Sequence, residues 1–190
     1  MPFISEFLAI NDGGTVDEDG EPSDWIEIFN PTDEAVVLEG YTLTDDAEET
    51  GKWTFPAVTI EPQGFVLVFA SMKDRVDPEM PLHANFSLDG AGEYLALYAP
   101  DEAEPVSSFA PEFPRQRRNV SYGVSGFTEG AVGFLSTLTP LEPNGESATE
   151  FVADTQFSVD RGFFREAVTV EITTETEGAE IRFTVDGTTP

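Results

Sequence analysis

Short apolar runs separated by turn-forming residues are the feature that most constrains how this chain can fold. The runs recur about every 8 to 15 residues, and segments such as "EPQG" and "LDGAGE" lie between them. Pro fixes φ and Gly tolerates positive φ, so such segments end strands and reverse the chain. The spacing is typical of an antiparallel sandwich or barrel, and no segment shows a long apolar helical period. The sequence therefore predicts an all-β protein with strands at 3–10, 24–30, 40–45, 52–55, 65–70, 93–99 and 119–124.

The run "FVLVFA" at 65–70 is apolar on both faces of its predicted strand. Successive side chains of a strand point to opposite faces, so Phe65 and Leu67 point one way while Val66 and Val68 point the other. Because both faces are apolar, we expect this strand to lie centrally in a sheet and to be covered on both sides.

Cys and His, on which many catalytic and metal sites depend, are scarce. The 190 residues include no Cys and a single His, His83. Disulfides, thiol nucleophiles, Cys-ligated metals and multi-histidine zinc sites are therefore excluded. No nucleophile elbow, phosphate-binding loop or HExxH motif occurs, and the acids are too numerous to single out a catalytic pair. We expect no enzymatic activity, and we expect His83 to be a packed or edge residue.

The chain is strongly acidic, with 37 Asp and Glu against 9 Lys and Arg and a net charge of −28. Phosphate recognition needs clustered cations, so the composition predicts a solvated acidic surface and no nucleic-acid partner. The basic cluster "RQRR" at 115–118 is interpreted as a strand edge that discourages strand addition, with a phosphate site as the alternative. No apolar run approaches the ~20 residues of a membrane span, and the start "MPFISEFLAI" lacks the basic region of a signal peptide.

The stretch "SDWIEIFNPTDE" at 23–34 combines a strand pattern with a turn pattern. Ile26 and Ile28 share one face and are expected in the core. The other face carries Trp25, Glu27 and Phe29. We expect the two aromatic side chains to pack beneath a neighbouring loop, with sugar stacking as the alternative. Asn30 is expected to cap the turn that follows.

The acidic loop "DEDGEPSD" at 17–24 is the best candidate for a metal site. Asp17, Asp19 and Asp24, together with Gly20, place hard oxygen ligands on a tight loop, as calcium prefers. The spacing is not that of an EF-hand, because Gly would be expected at the sixth position of that loop and here occupies the fourth. The alternative is a solvated turn without a cofactor. A second acidic run, "TDDAEET" at 44–50, lacks an internal Gly and is a weaker candidate.

The composition of the chain changes near residue 140, where prolines and small polar residues indicate a domain end. We predict a β-sandwich at 1–146, a linker at 147–155 and a second, incomplete β domain at 156–190. The second domain is predicted to contain three strands, at 156–164, 166–175 and 179–187.

Two stretches resemble known families. The blocks "ISEFLAIN", "DWIEIFNPTDEAVVLEGYTLTDD", "KWTFP", "IEPQGFVLVFAS" and "LHANFSLDGAGEYLALYAP", in this order, resemble the bacterial form of the lamin tail domain over residues 3 to about 144. The block "GAEIRFTVDGTTP" resembles the start of the immunoglobulin-like domain at the C-terminus of chitobiases and hexosaminidases. The first resemblance implies an immunoglobulin-like β-sandwich.

The resemblance also implies a role. Lamin tail domains are binding and scaffolding modules without catalytic residues, and in bacteria this pair of modules resembles the front end of large secreted or surface proteins. We therefore expect a non-catalytic extracellular interaction or spacer module, with a protein or surface glycan as partner and further domains beyond residue 190. The alternative is a calcium- or carbohydrate-dependent adhesion module.

Overall fold

The computed structural model describes residues 1–126, 131–135, 137–148, 151–152 and 155–189. The chain forms two compact units, Met1–Thr149 and Glu150–Pro190. None of the described residues lies in a helix, which confirms the predicted all-β class. The strands of the first unit are β1 (Phe3–Leu8), β2 (Asp24–Phe29), β3 (Val36–Val37), β4 (Thr42–Thr44), β5 (Trp53–Thr54), β6 (Thr59–Ile60), β7 (Phe65–Ala70), β8 (Leu82–His83), β9 (Leu95–Tyr98), β10 (Ser107–Phe109), β11 (Tyr122–Val124), β12 (Val132–Leu135) and β13 (Ser147–Ala148).

The first unit is built from two main sheets with one core between them. The larger sheet has the order β13-β12-β11-β1-β2-β7-β8, the smaller has the order β10-β9-β4-β5, and β3 pairs with β6. Side chains of both sheets meet in a single cluster of buried residues that includes Ile4, Phe7, Ile26, Ile28, Leu43, Trp53, Leu95 and Leu97. This arrangement is the predicted immunoglobulin-like β-sandwich.

Strand β1 contains a β-bulge that changes which of its residues face the core. One extra residue, Ser5, lies between Ile4 and Glu6 in the pairing with β2. A bulge shifts the alternation of side chains by one position. Ile4 and Phe7 therefore both enter the core although they are three positions apart, and Glu6 lies opposite Glu27 on the other face of the sheet.

Strand β2 confirms the prediction for its two faces. Ile26 and Ile28 are fully buried in the core between the sheets. Trp25 is fully buried on the opposite face, where it clusters with Leu8 and where Leu138 from the loop after β12 packs against the cluster. The sheet is therefore covered on both faces at this point, which is why the aromatic side chain is part of the packing.

Strand β7 is covered over only half of its length. It pairs with β2 throughout, but its parallel pairing with β8 is limited to Val68 and Phe69. Accordingly 68–70 is buried and 65–67 is half-buried, so the prediction of a strand covered along both faces is wrong for its first half. Phe29 of β2 is buried and stacks on the half-buried Phe65, with 4.7 Å between ring centroids.

Asn30 caps the turn after β2, as the sequence predicts. Its Nδ2 donates to the carbonyl oxygens of Glu34 at 2.8 Å and Ile60 at 3.1 Å, and its Oδ1 accepts from Thr32 N at 3.1 Å. The side chain is fully buried, so it supplies partners to backbone groups that water cannot reach.

The basic cluster at 115–118 is not part of a strand, so the interpretation as a guarded strand edge is wrong. Arg117 and Val120 form an isolated bridge, and strand β11 begins only at Tyr122. Arg118 forms an ion pair with Asp12, so at least one arginine of the cluster is paired with an acid of the same unit.

The second unit contains two short strands, β14 (Gln156–Phe157) and β15 (Ile172–Thr173), which pair antiparallel. The prediction of a third strand at 179–187 is wrong, because none of those residues lies in a strand. Phe163 and Val185 are exposed. Of the predicted linker at 147–155, positions 149–150 and 153–154 lie outside the described residues.

Candidate functional site

Asp17, the first residue of the acidic loop, has a buried carboxylate whose oxygens are occupied by protein donors. The donors are Asp19 N and Glu21 N at 3.0 Å, Ser23 Oγ at 2.9 Å and Lys73 Nζ at 2.6 Å. Burial by itself would raise the pKa of Asp17, but these hydrogen bonds, led by the one from Lys73, outweigh it and hold that pKa well below its usual range. Asp17 is therefore a charged residue that shapes its own loop.

Lys73 lies at the centre of the acidic loop. Its Nζ is 2.6 Å from Asp17 Oδ2, 2.8 Å from Asp19 Oδ2 and 2.9 Å from Glu21 Oε2. These three carboxylates have oxygens within 4.8 Å of one another, close enough to share one cation. The hydrogen bond that Lys73 donates to Asp17 is the main cause of the raised Lys73 pKa, so the amine is charged and lies among the carboxylates that a metal ion would need.

Arg75 and His83 continue this network along the edge of the loop. Arg75 forms ion pairs with Glu18 and with Asp19, the latter at 2.7 Å. His83 is fully buried, with Nε2 2.9 Å from Glu18 Oε2 and Nδ1 2.7 Å from Ser71 Oγ. The histidine therefore joins β8 to the acidic loop, and the expectation of a packed residue agrees with its position.

The third predicted ligand, Asp24, lies apart from this cluster. It starts β2, and its Oδ1 accepts from Asn11 N at 3.1 Å. Burial raises its pKa, in contrast to the pKa of Asp17. The structure thus brings together Asp17, Asp19 and Glu21. The loop sequence contains no signal for Lys73 and Arg75, because they lie more than fifty positions after the acids that they contact.

A pair of buried glutamates, Glu6 and Glu27, lies on the outer face of the larger sheet beneath the loop after β12. Glu6 accepts from Ser121 Oγ, from Thr139 Oγ1 at 2.8 Å and from Thr139 N at 3.3 Å. Burial raises the pKa of Glu6, and the hydrogen bonds from Ser121 and Thr139 oppose that rise. With three donors, Glu6 is the better placed of the two glutamates to carry a negative charge.

Glu27 has fewer donors. Its Oε1 lies 2.6 Å from Ser5 Oγ and its Oε2 accepts from Leu141 N at 2.5 Å. Burial, together with the neighbouring Glu6, raises the pKa of Glu27 to about 8. Both carboxyl groups are inaccessible to solvent, so no substrate can reach them. Their chemical role is to fasten the loop after β12 to the sheet.

A third feature is an apolar pocket of about 350 Å³ beside β7. Its lining comprises Val58, Phe65, Val66, Leu67, Phe69, Pro78, Met80, Pro81, Leu82 and Leu141. It extends along β7 from the half that β8 leaves open to Phe69, and Leu82 of β8 forms part of its wall. No helix among the described residues is long and apolar enough to cross a membrane.

Comparison with known families agrees with this architecture. The family model of the Lamin Tail Domain matches residues 3–112, and that of the Chitobiase/beta-hexosaminidase C-terminal domain matches residues 159–190. Searches of curated proteins and of solved structures found no match. The first match covers more than half of the chain and falls on the β-sandwich. This chain therefore belongs to the lamin tail domain family.

Proposed function

We propose that this chain is a non-catalytic interaction and spacer module of a larger secreted or cell-surface protein. The immunoglobulin-like fold of the lamin tail family is generally non-enzymatic, and the chitobiase-type C-terminal domain is non-catalytic as well. A module of this kind needs a self-sufficient fold and an exposed surface, and it needs neither a bound ion nor a reactive centre.

The observation that carries the proposal is the position of Lys73 Nζ within 3 Å of three carboxylates. The acidic loop is the place where this chain has the donor set of a calcium site. Lys73 and Arg75 already pair with the acids of this loop, so its carboxylates have cationic partners without a bound ion. This supports a module that holds its shape unaided, in preference to a calcium-dependent adhesion module.

The secreted or surface location rests on the pairing of the two module types, which resembles the front end of large secreted bacterial proteins. A strongly acidic surface also keeps a protein soluble and separate from its neighbours, as a displayed module requires. Limited proteolysis of intact producing cells tests the location. Cleavage of this chain by added protease is expected, and full protection until the cells are lysed would contradict it.

Thermal unfolding in EDTA, in millimolar magnesium and in millimolar calcium, at matched ionic strength, tests the self-sufficient fold. A specific site filled to about 100 times its Kd would add ~2.7 kcal/mol, or roughly 5 to 11 °C in Tm for a domain of this size. We expect a small shift that calcium and magnesium share. A large shift for calcium alone, abolished by Asp19→Ala, would replace this proposal with the adhesion module.

A further inference from the structure

We propose that the open edge of β7 and the apolar pocket beside it bind an extended segment of a partner protein, one with alternating apolar side chains and flanking Lys or Arg. The inference rests on the proposed interaction function and specifies its surface and the chemistry of its partner. Four features of the described residues support it: an open strand edge, a pocket on that edge, an acidic rim and a net charge that opposes self-association.

The strand edge is open because β8 is short. Strand β8 pairs with β7 at Val68 and Phe69 only, and no other strand in the described part of the chain pairs with 65–67 on that side. Pro81 directly precedes β8, and proline has no N–H to extend a ladder. An exposed edge presents backbone donors and acceptors to an incoming strand. Residues 65–67 are therefore a short template for one more strand.

The pocket lies on this edge. Its lining includes Val66 from one face of β7 and Leu67 from the other, so it opens where the two faces meet. Met80 and Leu141 also line it, and they are 54% and 53% exposed. A strand added along β7 would place an apolar side chain against these residues. Recognition of this kind combines main-chain hydrogen bonds with side-chain pockets.

The chain segments that line the pocket carry exposed acids, which we take as its rim. Asp77 and Glu79 flank the lining residue Pro78, and Glu142 follows the lining residue Leu141; all three acids are exposed. The lining itself contains no Lys or Arg. A partner segment with cationic flanks would satisfy these charges, and opposite charges on the rim speed association and exclude wrong partners.

The charge also distinguishes between occupants. A second copy of this chain would bring a further net charge of −28 to an acidic rim, so self-association through this edge is disfavoured. A basic segment of a different protein meets no such repulsion. The partner we infer is therefore heterologous, extended and basic at its flanks.

A display library of random decapeptides, panned against the full chain at neutral pH and low salt, tests the inference. We expect the enriched peptides to alternate apolar and polar residues between Lys or Arg. Their binding is then compared in two variants, Met80→Asp in the pocket and Glu79→Lys on the rim. We expect Met80→Asp to abolish binding and Glu79→Lys to weaken it about five- to tenfold.

Glu102→Lys is the matched control, because it reverses one exposed acid in a loop away from β7 and is expected to weaken binding much less than Glu79→Lys under the same conditions. Amide chemical shifts should move at 65–67 when an enriched peptide is added. Failure to enrich such peptides, binding retained in both pocket and rim variants, or dimerisation of the free chain that Met80→Asp abolishes would overturn the inference. The calcium melting test is independent, so the module function can stand while this surface fails.

Discussion

Glu6 and Glu27 face each other across β1 and β2 with both side chains fully buried. The bulge at Ser5 creates this pairing, since without the extra residue Glu6 would lie opposite Ile26. Two buried carboxylates this close cannot both ionise at low cost. The three donors around Glu6 favour a charge there, and Glu27 is the member of the pair held in its neutral form.

Replacement of Glu27 by Gln tests this assignment. The folded pKa of Glu27 is raised to about 8 from an ordinary 4.5. The contribution of the neutral carboxyl group is therefore fully present below pH 4.5 and is lost as pH rises through 8. A glutamine amide can donate to Ser5 Oγ and accept from Leu141 N at any pH. We expect Glu27→Gln to match the wild type near pH 4 and to exceed its free energy of unfolding by more than about 1 kcal/mol near pH 9.

The free energy of unfolding of the wild type and of Glu27→Gln is measured in urea at several pH values. Subtracting one pH curve from the other removes the contribution of the acids that the two proteins share. Glu102→Gln, an exposed residue, is the control and should track the wild type throughout. An equal loss of stability in Glu27→Gln at both pH values would mean that Glu27 carries its charge in the folded protein.

Replacement of Lys73 by Met tests the acidic loop. The change removes the ammonium group from between Asp17, Asp19 and Glu21 and leaves their charges to repel one another. We expect the Tm in EDTA to fall by several degrees and millimolar calcium to restore part of the loss, since calcium accepts this donor set. The wild type should show no such calcium dependence.

Lys52→Met is the matched control, because Lys52 pairs with Asp45 outside this loop. Differential scanning calorimetry with and without calcium is the measurement. A large calcium-specific stabilisation of the wild type, or none in Lys73→Met together with an unchanged Tm, would contradict the role of Lys73 as the cation of the loop.

Much of the fold could be predicted because its main strands carry their own pattern. Both faces of β2 and the turn cap at Asn30 follow from alternation and local hydrogen bonding. Strands of two residues, such as β8, are too short to show an alternation of apolar and polar side chains in the sequence. The bulge at Ser5 depends on pairing with β2, so alternation along β1 alone does not reveal it.

The candidate site was less predictable, because its chemistry joins distant parts of the chain. The loop sequence identified Asp17 and Asp19, which the structure brings together. Asp24 belongs to β2 instead, and the cation that balances the loop comes from Lys73. The pattern of β1 and β2 alone does not predict that Glu6 and Glu27 are buried, because the loop after β12 supplies part of their surroundings.

Asn144 is expected to be important for holding that loop in place. Its Nδ2 donates to Ser5 O at 2.8 Å and to Val124 O at 2.9 Å, and its Oδ1 lies 3.0 Å from Thr139 Oγ1. Asn144→Ala would leave these buried groups without partners, at a cost of about 1–3 kcal/mol. Chemical denaturation should show this loss, whereas Asn85→Ala, at an exposed position, should cost much less. Equal effects would contradict the proposed anchoring.

The net charge predicts a response to salt. With −28 on the chain, repulsion between exposed acids destabilises the compact state. Salt screens fully exposed charges more than partly buried pairs such as Lys73 with Asp17. We expect Tm to rise by a few degrees as NaCl increases to several tenths molar. A Tm that stays flat or falls across a NaCl series would mean that ion pairs outweigh the repulsion.

Hydrogen exchange should separate the two units of the chain. In the second unit the only strands among the described residues are β14 and β15, of two residues each, and Phe163 and Val185 are exposed. An amide is protected when its hydrogen bond opens only together with a large loss of buried contacts. The described residues of this unit include few strand hydrogen bonds and few buried side chains. We therefore expect amides in 155–189 to exchange by local fluctuations of low free energy. Amides of β1, β2 and β7 should exchange only on global unfolding, as measured by mass spectrometry over minutes to days. Equal protection in the two units would show that the second unit is stabilised by contacts beyond its own strands.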